Sequence, residues 1–168
     1  MQPRETPRSE CPTARTLESV GDYWSILILR DAFQGLTRFD EFQRSLGIAP
    51  NILTRRLKHL TAQTLFERRL YHKKPNWYEY VLTEKGRDFF PVVVAMFAWG
   101  NKHLAAQGPS LLMADRASSR GLEPIMVAAG TLAPITLDNV VLVPGPRASS
   151  DMHRRLDAMR AMRPDLTT

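Results

Sequence analysis

The sequence predicts a mainly α-helical fold carrying one small β-hairpin, and three features point to it. Glycines at 21, 35 and 47 punctuate a succession of short segments with helical apolar periodicity. Two runs rich in aromatic and β-branched residues, Phe66–Tyr71 and Trp77–Leu82, flank the basic tip His72-Lys73-Lys74-Pro75-Asn76, which is the pattern of a hairpin. Between the helices and the hairpin, residues 50–63 form an amphipathic segment with one apolar and one polar, basic face.

Residues 1–10 read as a disordered arm. The first helix is expected to begin at Cys11, with Pro12 in its opening turn, where a missing N–H costs nothing. Ala14, Leu17 and Val20 give it an apolar stripe, and Gly21 ends it. A second helix, about Tyr23–Phe33, is apolar through Trp24, Ile26, Leu27, Ile28 and Leu29, as a central core helix would be; Gly35 closes it. Thr37 is the expected N-cap of a short helix near Arg38–Leu46, with Phe39, Phe42 and Leu46 facing inward and Asp40 and Glu41 in its first turn. Gly47 makes the turn and Pro50 opens the next helix. Short helix, glycine turn and second helix make a helix-turn-helix, and the hairpin that follows is its wing. Thr83 is expected to cap one long helix from Glu84 to about Gln107. Its residues Phe89, Phe90, Val92, Val93, Val94, Met96, Phe97 and Trp99 cover nearly all sides. A helix apolar all round must be covered all round, and a domain this small has already used its core helices, so a homodimer is expected.

The basic segment carries the functional information. On a helix over 50–63, Ile52, Leu53, Leu57 and Leu60 share one side, while Asn51, Thr54, Arg55 and Lys58 gather opposite, spaced to line a major groove. Residues 44–74 hold eight basic side chains and one acid, Glu67, a net +7 that exceeds the +6 of the whole chain. Charge confined to one segment is the footprint of a polyanion-binding surface, here double-stranded DNA. Asn51, Thr54, Arg55 and Lys58 are the expected groove contacts. Arg56 and His59 flank them, either reaching phosphate or packing. Lys73 and Lys74 at the wing tip, and Arg38 and Arg68 more weakly, are candidates for phosphate or the minor groove.

Composition narrows the alternatives. At 168 residues, 43% hydrophobic and 24% charged, the chain has the make-up of an ordinary globular protein. The apolar run Val92–Ala98 is too short to span a bilayer. The polar N-terminus lacks the apolar core of a signal peptide, so a cytoplasmic location is expected. One cysteine excludes intrachain disulfides and thiolate zinc sites. His59, His72, His103 and His153 are scattered without ligand spacing, and no nucleophile–base set or phosphate-binding glycine loop is present; neither an enzyme nor a cofactor is expected. Trp24, Trp77 and Trp99 supply core area by default, the alternative being a ligand pocket at the dimer seam.

Several ordered motifs resemble the HxlR-type regulators: Cys11-Pro12, Gly21-Asp22-Tyr23-Trp24, Phe39-Asp40-Glu41-Phe42, Asn51-Ile52-Leu53 with Arg56-Leu57-Lys58, Tyr78-Glu79-Tyr80, and the Pro91 to Trp99 helix. The resemblance covers about residues 10–104, within an expected domain of 11–107. It implies a bacterial winged helix-turn-helix regulator bound to operator DNA as a homodimer, with the 50–63 helix in the major groove, the wing on backbone or minor groove, and the terminal helices at the dimer interface. Two departures stand out. Thr64 occupies a position where the family usually has glycine, and a threonine with positive φ is strained, so a different helix end is expected. The extension, 108–168, is absent from most short members. It is expected to form a hairpin from Leu122–Ala129 and Asn139–Pro144, then a short helix near 151–162; in some longer relatives this region looks like a zinc ribbon, whose cysteines are missing here.

Cys11 has two readings: a small apolar side chain at a helix start, or a thiol whose pKa the helix N-terminus and Arg15 lower. Several HxlR-type regulators sense electrophiles or oxidants with a cysteine at the matching position, which implies a thiol-directed or other small-molecule effector. The competing classes are a winged-helix protein-interaction module and a small-molecule-binding protein without DNA readout.

Overall fold

The computed structural model describes residues 10–162, which leaves most of the expected N-terminal arm outside the described residues. The chain folds as two compact units, residues 15–124 and the combination of 10–14 with 125–162. This division differs from the boundary expected after residue 107.

In the larger unit, α1 (Pro12–Val20, which starts in the smaller one), α2 (Tyr23–Phe33), α3 (Phe39–Leu46) and α4 (Pro50–Ala62) precede the strands β1 (Phe66–Lys73) and β2 (Asn76–Leu82). The glycine punctuation holds: Gly21, Gly35 and Gly47 all have positive φ. Val20, Ile28, Leu29, Phe42, Leu53, Leu57, Leu60 and Phe66 form the buried core, with Phe42 and Phe66 edge to face at 6.3 Å. Trp24 packs against this core, but Trp77 and Trp99 are exposed, as is Leu17 of the expected α1 stripe.

The cap of α3 differs from expectation. Thr37 does not cap it; the Glu41 carboxylate reaches back to accept from the Arg38 N–H (2.9 Å) and the Thr37 N–H (3.0 Å). These N–H groups hold the Glu41 carboxyl below its ordinary pKa, Arg38 contributing most. Thr37 instead bonds to the outer edge of β2. Its carbonyl accepts from the Tyr80 N–H at 2.7 Å, and Arg38 bridges Glu79, so β2 is flanked on both edges.

The end of α4 was expected to avoid the left-handed region, yet Thr64 enters it with φ +59°. The chain must reverse there so that the Leu65 N–H can bond the Leu60 carbonyl (2.9 Å) and Leu65 and Phe66 can enter the core. The Thr64 hydroxyl donates to the Gln63 carbonyl at 2.7 Å, a local bond that offsets part of the strain.

The expected single helix after the wing is two: α5 (Glu84–Arg87) and α6 (Phe90–Leu104). Pro91 accounts for the break, because it has no N–H for the carbonyl four residues back and its ring excludes that carbonyl; it sits in the first turn of α6 instead. Thr83 caps α5 as expected, its side chain accepting from the Gly86 N–H at 3.0 Å. No residue of α6 is buried, and Phe90, Val92, Met96 and Trp99 face outward.

The expected strands 122–129 and 139–144 do not form. Two tight turns occur instead, closed by isolated bridges Ala114↔Gly121 and Val127↔Pro134. Each has an N–H to carbonyl bond four residues back (Ser119 to Asp115, Leu132 to Ala128) and a non-glycine residue at φ +56°. The apolar run 140–143 has no strand partner among the described residues and stays exposed. Helix α7 (Ser150–Met162) matches the expected C-terminal helix, with Leu156 buried but Met159 exposed.

Candidate nucleic-acid interface

Helix α4 presents two chemically distinct sides. Leu53, Leu57 and Leu60 have no exposed surface, which anchors the helix by about 1.5–3 kcal/mol for each side chain buried. Asn51, Thr54, Arg55 and Lys58 are all exposed. The Thr54 hydroxyl donates to the Pro50 carbonyl (2.8 Å), leaving its lone pairs outward, and the Asn51 carbonyl oxygen accepts from the Ile52 N–H (2.9 Å), leaving its NH2 available. Among the described residues, Arg55 and Lys58 have no carboxylate partner.

The two flanking residues are turned the other way. Arg56 is ion-paired with Asp22, the N-cap residue of α2, and only 21% of its side chain is exposed. His59 Nε2 lies 2.9 Å from the Ser19 carbonyl oxygen, beneath Gly21. Both thus make contacts that fasten α4 to the α1–α2 junction. Asp22 was missed as the partner of Arg56. Its position as an acidic residue immediately before an apolar helix marks an N-cap, but nothing in the sequence links it to residue 56.

Lys73 and Lys74 are exposed at the wing tip, where His72 Nδ1 sits 2.9 Å from the Pro75 carbonyl oxygen and closes the turn. Arg38 and Arg68 are also exposed, and each lies over an aromatic ring: Arg38 over Tyr71 (4.7 Å to the ring centre) and Arg68 over Tyr78 (3.5 Å). Apart from Arg44, which lies on α3 and is paired with Asp40, the fold thus brings the basic residues of 44–74 onto α4 and the wing, which are joined by only the turn at 63–65.

Cys11 precedes α1, and its pKa is lowered. The Ala14 N–H contributes most, then the Thr13 N–H; burial opposes them, and the Arg155 guanidinium of α7 and the Thr13 hydroxyl act with them. The helix N-terminus therefore acts as expected, but the neighbouring cation is Arg155 rather than Arg15. Among the described residues no group of three His, Cys, Asp or Glu is arranged to hold a metal ion, and no helix is long and apolar enough to cross a membrane.

Helices α1 to α4, with the helix-turn-helix formed by α3 and α4 about the Gly47 turn, and a basic hairpin define a winged helix-turn-helix protein. The model of the HxlR-like helix-turn-helix family matches residues 19–108, and the chain belongs to that family. An uncharacterized HTH-type transcriptional regulator of Mycobacterium tuberculosis is 38% identical over 133 residues, covering 79% of this chain and 84% of its own. The solved structure of PA1374 from Pseudomonas aeruginosa is 50% identical, with a TM-score of 0.64 over 86% of this chain and 99% of that one. The redox regulator HypR in its reduced form is 34% identical, with a TM-score of 0.53, covering 58% of this chain and 99% of HypR.

Proposed function

We propose that this chain is a transcription regulator that occupies operator DNA as a homodimer. The observation that carries the proposal is the exposed face of α4. Asn51, Thr54, Arg55 and Lys58 project from a helix fixed on its other side by three buried leucines and the Arg56–Asp22 pair. Rigid backing, with the Asn51, Arg55 and Lys58 donors and the Thr54 lone pairs left available, is what base-edge recognition requires. Lys73 and Lys74, without carboxylate partners among the described residues, add phosphate contacts that fix register. Arg38 and Arg68 contribute more weakly. The outward apolar side chains of α6 support a second copy as the cover, since two wings and two α4 helices then address two half-sites.

A footprint on the DNA flanking the chain's own gene tests this reading. A protected, pseudo-palindromic site whose occupancy falls steeply with salt is expected. Uniform, unprotected DNA, or affinity indifferent to salt, refutes it.

The thiol provides a second reading, that operator occupancy responds to modification of Cys11. It is supported by the lowered pKa and by the likeness to HypR. With no second cysteine in the sequence, the chemistry is limited to alkylation, a mixed disulfide with a small thiol, or a Cys11–Cys11 bridge between subunits. Diamide should lower DNA affinity of the natural chain and leave Cys11→Ser unaffected; full affinity after proven modification refutes the switch.

A further inference from the structure

A cavity of about 550 Å3 opens between the start of α3 and the wing, and no residue of α4 lines it. Its size falls within the range of about 300–1,000 Å3 typical of small-ligand sites. Arg38 and Phe39 form one wall; Arg68, Tyr71, Trp77 and Tyr78 form the other. The wing is built to make this wall. Arg68 pairs with Tyr80 and Leu70 with Tyr78, so strict alternation would put Tyr71 on the face opposite Arg68. A bulge between Leu70 and His72 adds one residue, and Tyr71 lines the same cavity as Arg68.

The charges decide what fits. Among the described residues, neither the Arg38 nor the Arg68 guanidinium forms a salt bridge, although Arg38 acts at longer range on the Glu41 carboxylate. Each already lies over a tyrosine ring, so the ring faces that would attract a cation are occupied by cations. The lining carboxylate of Asp40 is bonded to Arg44 at 2.9 Å, so it does not neutralise Arg38 or Arg68. Trp77 is half exposed and tilted against Tyr71, with ring centres 6.1 Å apart, leaving aromatic surface for a planar ring.

We infer that this cavity is a binding site for a planar aromatic monoanion, its ring held against Trp77 and Tyr71 and its carboxylate by the Arg38 and Arg68 guanidiniums. Fork-shaped guanidiniums suit a carboxylate in two-bond geometry. Under the proposed function the same arginines are phosphate candidates, so ligand and DNA draw on common groups and a bound aromatic acid lowers DNA affinity. That consequence rests on the DNA reading; the binding itself does not.

The test is calorimetric titration of the full chain, without DNA, by 2-naphthoate, its neutral isostere 2-naphthamide and the trimethyl-2-naphthylammonium cation. Saturable 2-naphthoate binding is expected, about tenfold or more tighter than the amide, with none for the cation. Arg68→Gln and Trp77→Ala should each weaken 2-naphthoate by about tenfold while melting like the natural chain, both side chains being exposed. Amide binding as tight as naphthoate, cation binding, absence of naphthoate binding, or unchanged affinity in either folded variant overturns the proposal. Because DNA is absent, failure here leaves the DNA reading untouched. A DNA competition run afterwards tests the coupling.

Discussion

Replacing Arg56 with alanine separates the two sides of α4 by experiment. Its guanidinium is paired with Asp22 at side-chain exposures of 21% and 36%, between the buried and the open limits. Removing one partner of a buried pair costs about 3–5 kcal/mol, and an exposed pair contributes about 0–1 kcal/mol. Asp22 also accepts from the Ser25 N–H at 3.3 Å, so its carboxylate keeps a partner when Arg56 is gone. The expected loss is about 2 kcal/mol, discounted for solvent screening, which lowers the melting temperature of a chain this size by about 4–8 °C. Thermal denaturation at fixed protein concentration measures it. A double-mutant cycle with Asp22→Asn should return a coupling of about 1–2 kcal/mol. At temperatures where it is folded, Arg56→Ala should bind DNA within about threefold of the natural chain, since no contact to DNA is removed. A variant that melts normally but loses DNA affinity as Arg55→Ala does would refute the assignment of Arg56 to the fold.

Met96 is 52% exposed on α6, so Met96→Glu leaves the monomer's core intact; sedimentation should show a dimer for the natural chain and a folded monomer for the variant, and a natural chain that is monomeric at micromolar concentration removes the case for the interface. Gly86→Ala would put a Cβ 2.1 Å from the Leu65 carbonyl oxygen, which is held by the Thr83 N–H at 3.1 Å, so a loss of about 3 kcal/mol is expected on denaturation, and a near-neutral result contradicts the packing of α5 under the wing. Alkylation of Cys11 followed against pH should have its midpoint below that of an ordinary thiol, and Arg155→Ala should move it upward. The sign for stability follows: with the folded pKa depressed, the thiolate's contribution is present above the ordinary thiol pKa and fades as pH falls through the lowered one. A midpoint at the ordinary thiol value contradicts the N-terminal field.

The helices and wing were legible because their signals are local. Leu53, Leu57 and Leu60 announce one face of α4 by spacing alone, and the aromatic runs around His72–Asn76 announce the hairpin. What was not legible depends on distant partners. Arg56 and Arg55 are adjacent and chemically identical, and only the ion pair with Asp22, at the N-cap of another helix, distinguishes them. Arg155 lies far along the chain from the Cys11 it influences. Pro91 carries a readable signal, since a proline inside a helical run argues for a break at the residue before it. The left-handed Thr64 shows tertiary packing overriding residue preference: burying Leu65 and Phe66 requires the reversal whichever residue stands there. In the extension, the apolar runs have the composition of strands, but among the described residues 140–143 finds no ladder to join.

The central claim, that α4 reads sequence while the wing supplies charge, is tested most directly by one set of anisotropy titrations. The natural chain, Arg55→Ala and Lys73→Ala are titrated onto the footprinted duplex and a scrambled one across a salt series. Arg55→Ala should lose about 1–3 kcal/mol on the footprinted duplex and little on the scrambled one, while Lys73→Ala should weaken both and flatten the logarithmic salt slope by about one. Arg55→Ala binding the footprinted duplex as tightly as the natural chain would contradict the assignment of the reading face.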